Sequence, residues 1–194
     1  MPNGKSGINV TLDGCVDHPE GVADDETHAL FTTGAFRRQN EHLRSFWAAF
    51  AATQASDPTP RFLEAFYFDE NEPSANELAA LALAGRKQAT AGLLWSHDKE
   101  NRPLARHGDL SIVTNYSGEP VCVIETQKVE IVPFEEVTAE FAATEGEGDG
   151  SLQYCGQAHE AFFSRECKRI GRTPEARMPV VCEQFKNIFS AIAR

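Results

Sequence analysis

The chain has 194 residues, 18 basic against 29 acidic for a formal charge of −11, and 41% hydrophobic residues. That suits one globular domain with room for an extension, and it is too apolar for wholesale disorder. No run approaches the roughly 20 apolar residues of a membrane helix, and the polar start lacks the basic and apolar regions of a secretory signal. The sequence therefore predicts a cytoplasmic protein with no membrane partner. Cys15, Cys122, Cys155, Cys167 and Cys182 are odd in number and form no CxxC pair, so reduced thiols are expected. The negative charge argues against a sequence-blind nucleic-acid coat. It is also segregated: residues 134–150 carry six acidic and no basic side chains, whereas Arg165, Lys168, Arg169, Arg172 and Arg177 crowd one short stretch.

In chain order, residues 1–36 show neither the helical nor the strand period and read as a flexible N-terminal extension. Leu43, Phe46, Trp47 and Phe50 then recur at helical spacing over 39–54, and the Asp57-Pro58-Thr59-Pro60 run ends the pattern. Their aromatic stripe is read as core packing. A second helix opens at Pro73 with Leu78, Leu81 and Ala82 on one face, and Gly85 sits where a helix C-terminus wants a left-handed residue. Strands are predicted at 89–95, 109–115 and 121–132, the last two joined through Ser117-Gly118. A helix follows at 151–170. The apolar stretch 180–192 reads as strand first and helix-like at its end. Short strands interleaved with helices give an α+β class or a β-barrel with peripheral helices.

Chemistry could sit in three places. At the helix exit Gly85-Arg86-Lys87-Gln88-Ala89-Thr90, a sharp turn at Gly85 would let Lys87 and Thr90 aim into one pocket, although on a continuous strand their odd separation would set them on opposite faces. A Lys past a helix C-terminus and a Thr in a strand also have ordinary structural explanations. The run Glu145-Gly146-Glu147-Gly148-Asp149-Gly150 imitates the first half of a calcium loop, but the twelfth position, which needs a bidentate Glu, is Gly156. Cys155 and His159 lie one helical turn apart, and His97 and His107 flank a polar loop with Arg106. Zinc spacing is missing, so core packing is the simpler reading of the first pair and a surface loop of the second. Neither a metal nor a cofactor is expected.

With Gly85, Lys87 and Thr90 as a GxKxxT motif, the chain resembles the ASCH domain family, whose members are similar to the PUA barrel. The further matching elements are His107-Gly108-Asp109, the run 120–126, the run 141–149, His159 with Phe162-Phe163, and the run 179–185. Together they resemble a larger bacterial ASCH subfamily of uncharacterised proteins. The resemblance covers much of 62–189 and implies an α+β, PUA-like mixed β-barrel with peripheral helices, spanning 37–194 with an N-terminal helix. It also implies a hydrolase of N-acylated cytidine-type nucleosides, because small bacterial ASCH proteins include one that deacetylates N-acetylcytidine. Its catalytic residues here would be Lys87, Thr90 and Glu145, with Arg86, Arg106, Glu147, Asp149, His159 and Arg165 as substrate-binding candidates. Cys155 stands where an aromatic residue is usual.

These residue types suit amide hydrolysis. A Lys removed from water can act as a base and activate a Thr hydroxyl, and a carboxyl group can serve the leaving amine. Two other classes stay open: a ribonuclease or RNA-binding domain using Lys87 and the 165–177 basic cluster, and a non-catalytic nucleotide-sensing module. The partner is accordingly a nucleoside or RNA. The oligomeric state is open, a homodimer being one option.

Overall fold

The computed structural model describes residues 5–6 and 34–190. The expected extension 1–36 therefore lies almost wholly outside the described residues, as does Cys15. Within it, β1 (Lys5–Ser6) pairs antiparallel with Phe68 and Tyr67 of β2.

Helix α1 (Gly34–Ala51) presents Leu43, Phe46, Trp47 and Phe50, all buried, against Ala65, Leu110, Ile112 and Val123 of the sheet. The aromatic stripe is core, and each such side chain contributes about 1.5–3 kcal/mol by leaving water. A strand the pattern did not reveal follows, β2 (Phe62–Phe68). Apart from the buried Glu64, its residues are apolar or aromatic on both faces, so period-two alternation is lost.

Helix α2 (Glu72–Leu83) is capped by Asn71, whose side chain accepts from the Ser74 amide at 3.2 Å. It ends at Gly85, whose φ of 69° turns the chain so that the amides of Arg86 and Lys87 both donate to the Leu81 carbonyl. Strand β3 (Ala89–Leu93) then leads into a short helix, α3 (Leu94–Lys99). The predicted strand 89–95 thus stops two residues early, because Leu94 and Trp95 begin α3.

Strands β4 (Leu110–Thr114) and β5 (Pro120–Pro133) form the expected hairpin, and β6 (Pro179–Ser190) runs back along β5. The helix-like end expected of 180–192 is corrected: β6 is strand to Ser190, because pairing of 122–133 with 179–190 satisfies its backbone. The order is β1-β2-β4-β5-β6-β3, mixed, with β2 and β4 parallel. Register shifts at Val123/Ile124 and Thr126/Lys128 let the long β5 bend and serve β4 and β6 together.

Helices α4 (Ala139–Glu145) and α5 (Leu152–Ile170) cover the face of β3 and β6 that carries Ala89, Ala91, Leu93, Val180 and Cys182. Among the described residues, no helix is long and apolar enough to cross a membrane.

Candidate functional site

The geometry of the site begins with how segment 86–88 is held. The Gln88 amide donates to the Thr144 carbonyl at the end of α4 at 3.0 Å, and the Gln88 carbonyl accepts from the Phe185 amide at 2.8 Å. Gly146, with φ of 66°, presses against this segment so closely that a Cβ there would overlap the Arg86 carbonyl. Gly148 meets the Tyr154 ring in the same way. The loop after α4 therefore lies on the turn after α2, and Arg86 and Gly146, 60 positions apart, become neighbours.

That contact seals a buried charged cluster. Lys87 is 1% exposed, its ammonium bonded to the Glu147 carboxylate and lying 4.9 Å from the Phe68 ring centroid. Lysine is almost never this buried without a partner, and the ring face adds a cation–π contact. Glu145, also 1% exposed, accepts from the Cys155 thiol at 3.2 Å and faces His159 Nε2 at 3.4 Å. His159 Nδ1 lies 3.0 Å from the Cys155 carbonyl.

Two carboxyl groups two residues apart are driven in opposite directions. Burial acts to raise Glu145, but the neighbouring His159 and Lys87 outweigh it and hold its carboxyl below the ordinary range. Burial raises Glu147, and the charge of Glu145 adds to it, so that even its bond to Lys87 leaves it above the ordinary range. For His159, burial disfavours the charged ring, yet Glu145 and Cys155 raise it well above its usual value. Burial keeps the Cys155 thiol protonated as well.

Thr90, 3% exposed, follows in β3. Ala89, Ala91 and Leu93 pack under α4 and α5, so by strand alternation Thr90 and Gly92 face the other side of the sheet. There Thr90 lines a cleft with Glu64, His97, Arg102, Glu166 and Glu183. The Thr126 hydroxyl donates to Glu183 Oε1 at 2.9 Å in this interior. Lys87 and Glu145 lie outside the cleft wall, in the buried cluster.

Of the residues singled out by sequence, Lys87, Glu145, Glu147 and His159 are brought together. Arg86, Arg106, Asp149 and Arg165 are exposed. The Asp149 side chain instead accepts from the Ser151 amide at 2.9 Å, and the Arg165 guanidinium donates to the Ala161 carbonyl at 3.3 Å. Sequence reasoning missed Glu64 and Glu183. A lone acid inside the apolar run 180–185 was the available signal, since a charge at an inward strand position has to serve something. The His97–His107 loop divides: His97 enters the cleft, whereas His107 is exposed and its Nδ1 lies 2.9 Å from the Gln127 carbonyl.

Two cations of the basic stretch are paired with carboxylates. Arg169 bonds Glu166 at 2.8 Å and Glu100 at 2.5 Å, Arg177 bonds Glu135 at 2.9 Å, and Arg172 lies 4.4 Å from the Trp95 ring centroid.

Comparison with known proteins agrees with this architecture. The family model for the ASCH domain matches residues 64–188. The crystal structure of an ASCH domain from Lactobacillus crispatus is similar at a TM-score of 0.71 and 35% identity, covering 76% of this chain and 94% of that one. A protein of known structure from Enterococcus faecalis is similar at a TM-score of 0.68 and 28% identity, covering 76% of this chain and 88% of that one. No curated protein matches the sequence.

Proposed function

The chain belongs to the ASCH domain family, and on that premise we propose that it hydrolyses the acyl amide of N-acylated cytidine-type nucleosides. The observation that carries the reading is the buried Lys87–Glu147 pair beside a Thr-lined cleft, because carboxylates with oppositely shifted affinities and a sequestered amine are the usual equipment of proton transfer.

An ammonium bonded to a carboxylate is a proton donor until its proton moves. Burial and the charge of Glu145 raise the Glu147 carboxyl, which fits it to accept a proton from Lys87 in the course of the reaction. As Thr90 Oγ1 attacks the acyl carbon, its proton passes through a bridging water to Lys87, which hands its own proton to Glu147. The water is needed because Thr90 opens into the cleft and Lys87 lies behind its wall. The tetrahedral adduct then expels the exocyclic amine, which receives the proton held by Glu147. Water hydrolyses the acyl-threonine and restores the enzyme. Glu145, held ionised and facing His159, raises the proton affinity of Glu147 from behind, a division of labour that inverts the acid role the family resemblance gives to Glu145.

The division is testable by following cytidine release chromatographically. Glu147→Gln is expected to lower turnover by about 10²–10⁴, the range of a lost acid–base group, with a smaller loss for Glu145→Gln. The reverse ranking returns the leaving-group role to Glu145. Wild-type protein inactive on a panel of acylated cytidines ends the hydrolase reading.

The RNA reading is disfavoured by the pairing of Arg169 and Arg177 with carboxylates, which leaves fewer cations for phosphates. A short single-stranded RNA titrated at two ionic strengths is expected to show no salt-dependent binding. Binding whose logarithm falls with log salt by about 0.7 per phosphate contact, and that weakens in Arg165→Ala, would favour it instead.

A further inference from the structure

We propose that Glu145, Cys155 and His159 together bind one divalent transition-metal ion of the zinc class. The proposal does not rest on the hydrolase reading and uses a thiol that the proposed reaction leaves idle.

Cys155 and His159 share one face of α5, one turn apart, and Glu145 enters from the end of α4, with all three buried. Their ligand atoms lie within 4.8 Å of one another. Cys155 Sγ is 3.2 Å from Glu145 Oε2, and His159 Nε2, the nitrogen turned toward the carboxylate, is 3.4 Å from Glu145 Oε1. Ligand atoms on a zinc tetrahedron, with bonds of about 2.3 Å to sulfur and 2.0–2.1 Å to nitrogen and oxygen, sit roughly 3.3–3.6 Å apart. The site needs only small movements to close on an ion.

A second observation points the same way. Glu145 Oε1 and His159 Nε2 are buried and make no well-formed hydrogen bond, meeting only in a loose 3.4 Å ion pair with each other. Buried polar atoms without hydrogen bonds are uncommon and call for an occupant. His159 Nδ1 faces the Cys155 carbonyl, which suits a proton on Nδ1, so that an ion displacing the Nε2 proton would meet the Nε2 lone pair, as in metal-bound histidines generally.

The donor set selects the ion. Thiolate, imidazole and carboxylate favour zinc or cobalt over magnesium or calcium, which prefer oxygen alone. On binding, the Sγ–H and any Nε2–H proton pass to buffer and bonds from Sγ, Nε2 and a Glu145 oxygen to the ion form. One thiolate and one carboxylate then balance the dication, which lets the charge remain buried. Three protein ligands leave a fourth position for water.

The test uses the full chain, stripped with a chelator and titrated with Co²⁺. One equivalent is expected to give the thiolate-to-cobalt charge-transfer band with a tetrahedral visible spectrum, and Zn²⁺ to displace it. Cys155→Ala should abolish the band, and Glu145→Gln should weaken binding at least tenfold, roughly what even outer-shell losses cost. No cobalt bound by the wild-type chain overturns the proposal, as does a band that survives in Cys155→Ala, which would assign it to another cysteine. Cobalt binding by a protein inactive on every acylated cytidine upholds the metal site and removes only the hydrolase.

Discussion

Lys87→Ala and Thr90→Ala are each expected to reduce release of cytidine from N-acetylcytidine by about 10³-fold or more, and the double substitution to cost little beyond either one. Groups that act as a unit lose their function once, whichever member goes. Their effects on stability should differ. Lys87→Ala leaves Glu147 buried without its partner, and breaking a buried pair in this way costs about 3–5 kcal/mol. Thr90→Val keeps shape and removes only the hydroxyl. Removing both charges with Lys87→Met and Glu147→Gln together should recover most of the lost stability, because well-packed neutral side chains avoid the desolvation penalty. The recovered protein should remain inactive. Thermal denaturation read beside the activity assay separates the two effects, and a stable, fully active Lys87→Met/Glu147→Gln protein would remove Lys87 from the mechanism.

Gly146→Ala should be the most damaging single methyl group in the site. The left-handed φ of 66° costs a side-chain-bearing residue about 1 kcal/mol, and the new Cβ would overlap the Arg86 carbonyl, a backbone atom that cannot swing away. Overpacking of this kind adds about 1–3 kcal/mol. The total of about 2–4 kcal/mol corresponds to a fall in Tm of roughly 5–15 °C for a domain of this size. Gly150→Ala is the matched control: its φ of 73° is equally left-handed, but its Cβ would meet nothing within 4 Å, so only the backbone cost of about 1 kcal/mol is expected. Because Gly146 separates Glu145 from Glu147, the substitution should also lower turnover by moving both carboxylates from Lys87. Equal melting temperatures for the two variants would show that the loop yields without strain.

Local order in the sequence determined the helices with a clear period or cap. Leu43, Phe46, Trp47 and Phe50 mark α1, Gly85 marks the end of α2, and 151–170 marks α5 within one residue, because helical spacing and left-handed caps are short-range properties. The GxKxxT pattern likewise pointed to Lys87 and Thr90 and to the ASCH family before any contact was visible. What lacked a local signature needed the tertiary structure. β2 was hidden because burial of both its faces erases alternation, and the end of β6 was misread because only its pairing with β5 decides its conformation. The site shows the same limit. Lys87 and Glu147 are 60 positions apart and meet because Gly146 lets one loop lie on another. Nothing in residues 145–149 foretells that Glu145 and Glu147 turn inward while Asp149 stays in water, or that one acid is held low and its neighbour raised. Proton affinity depends on which charges and how much solvent surround a group, and those are set by residues distant in the chain.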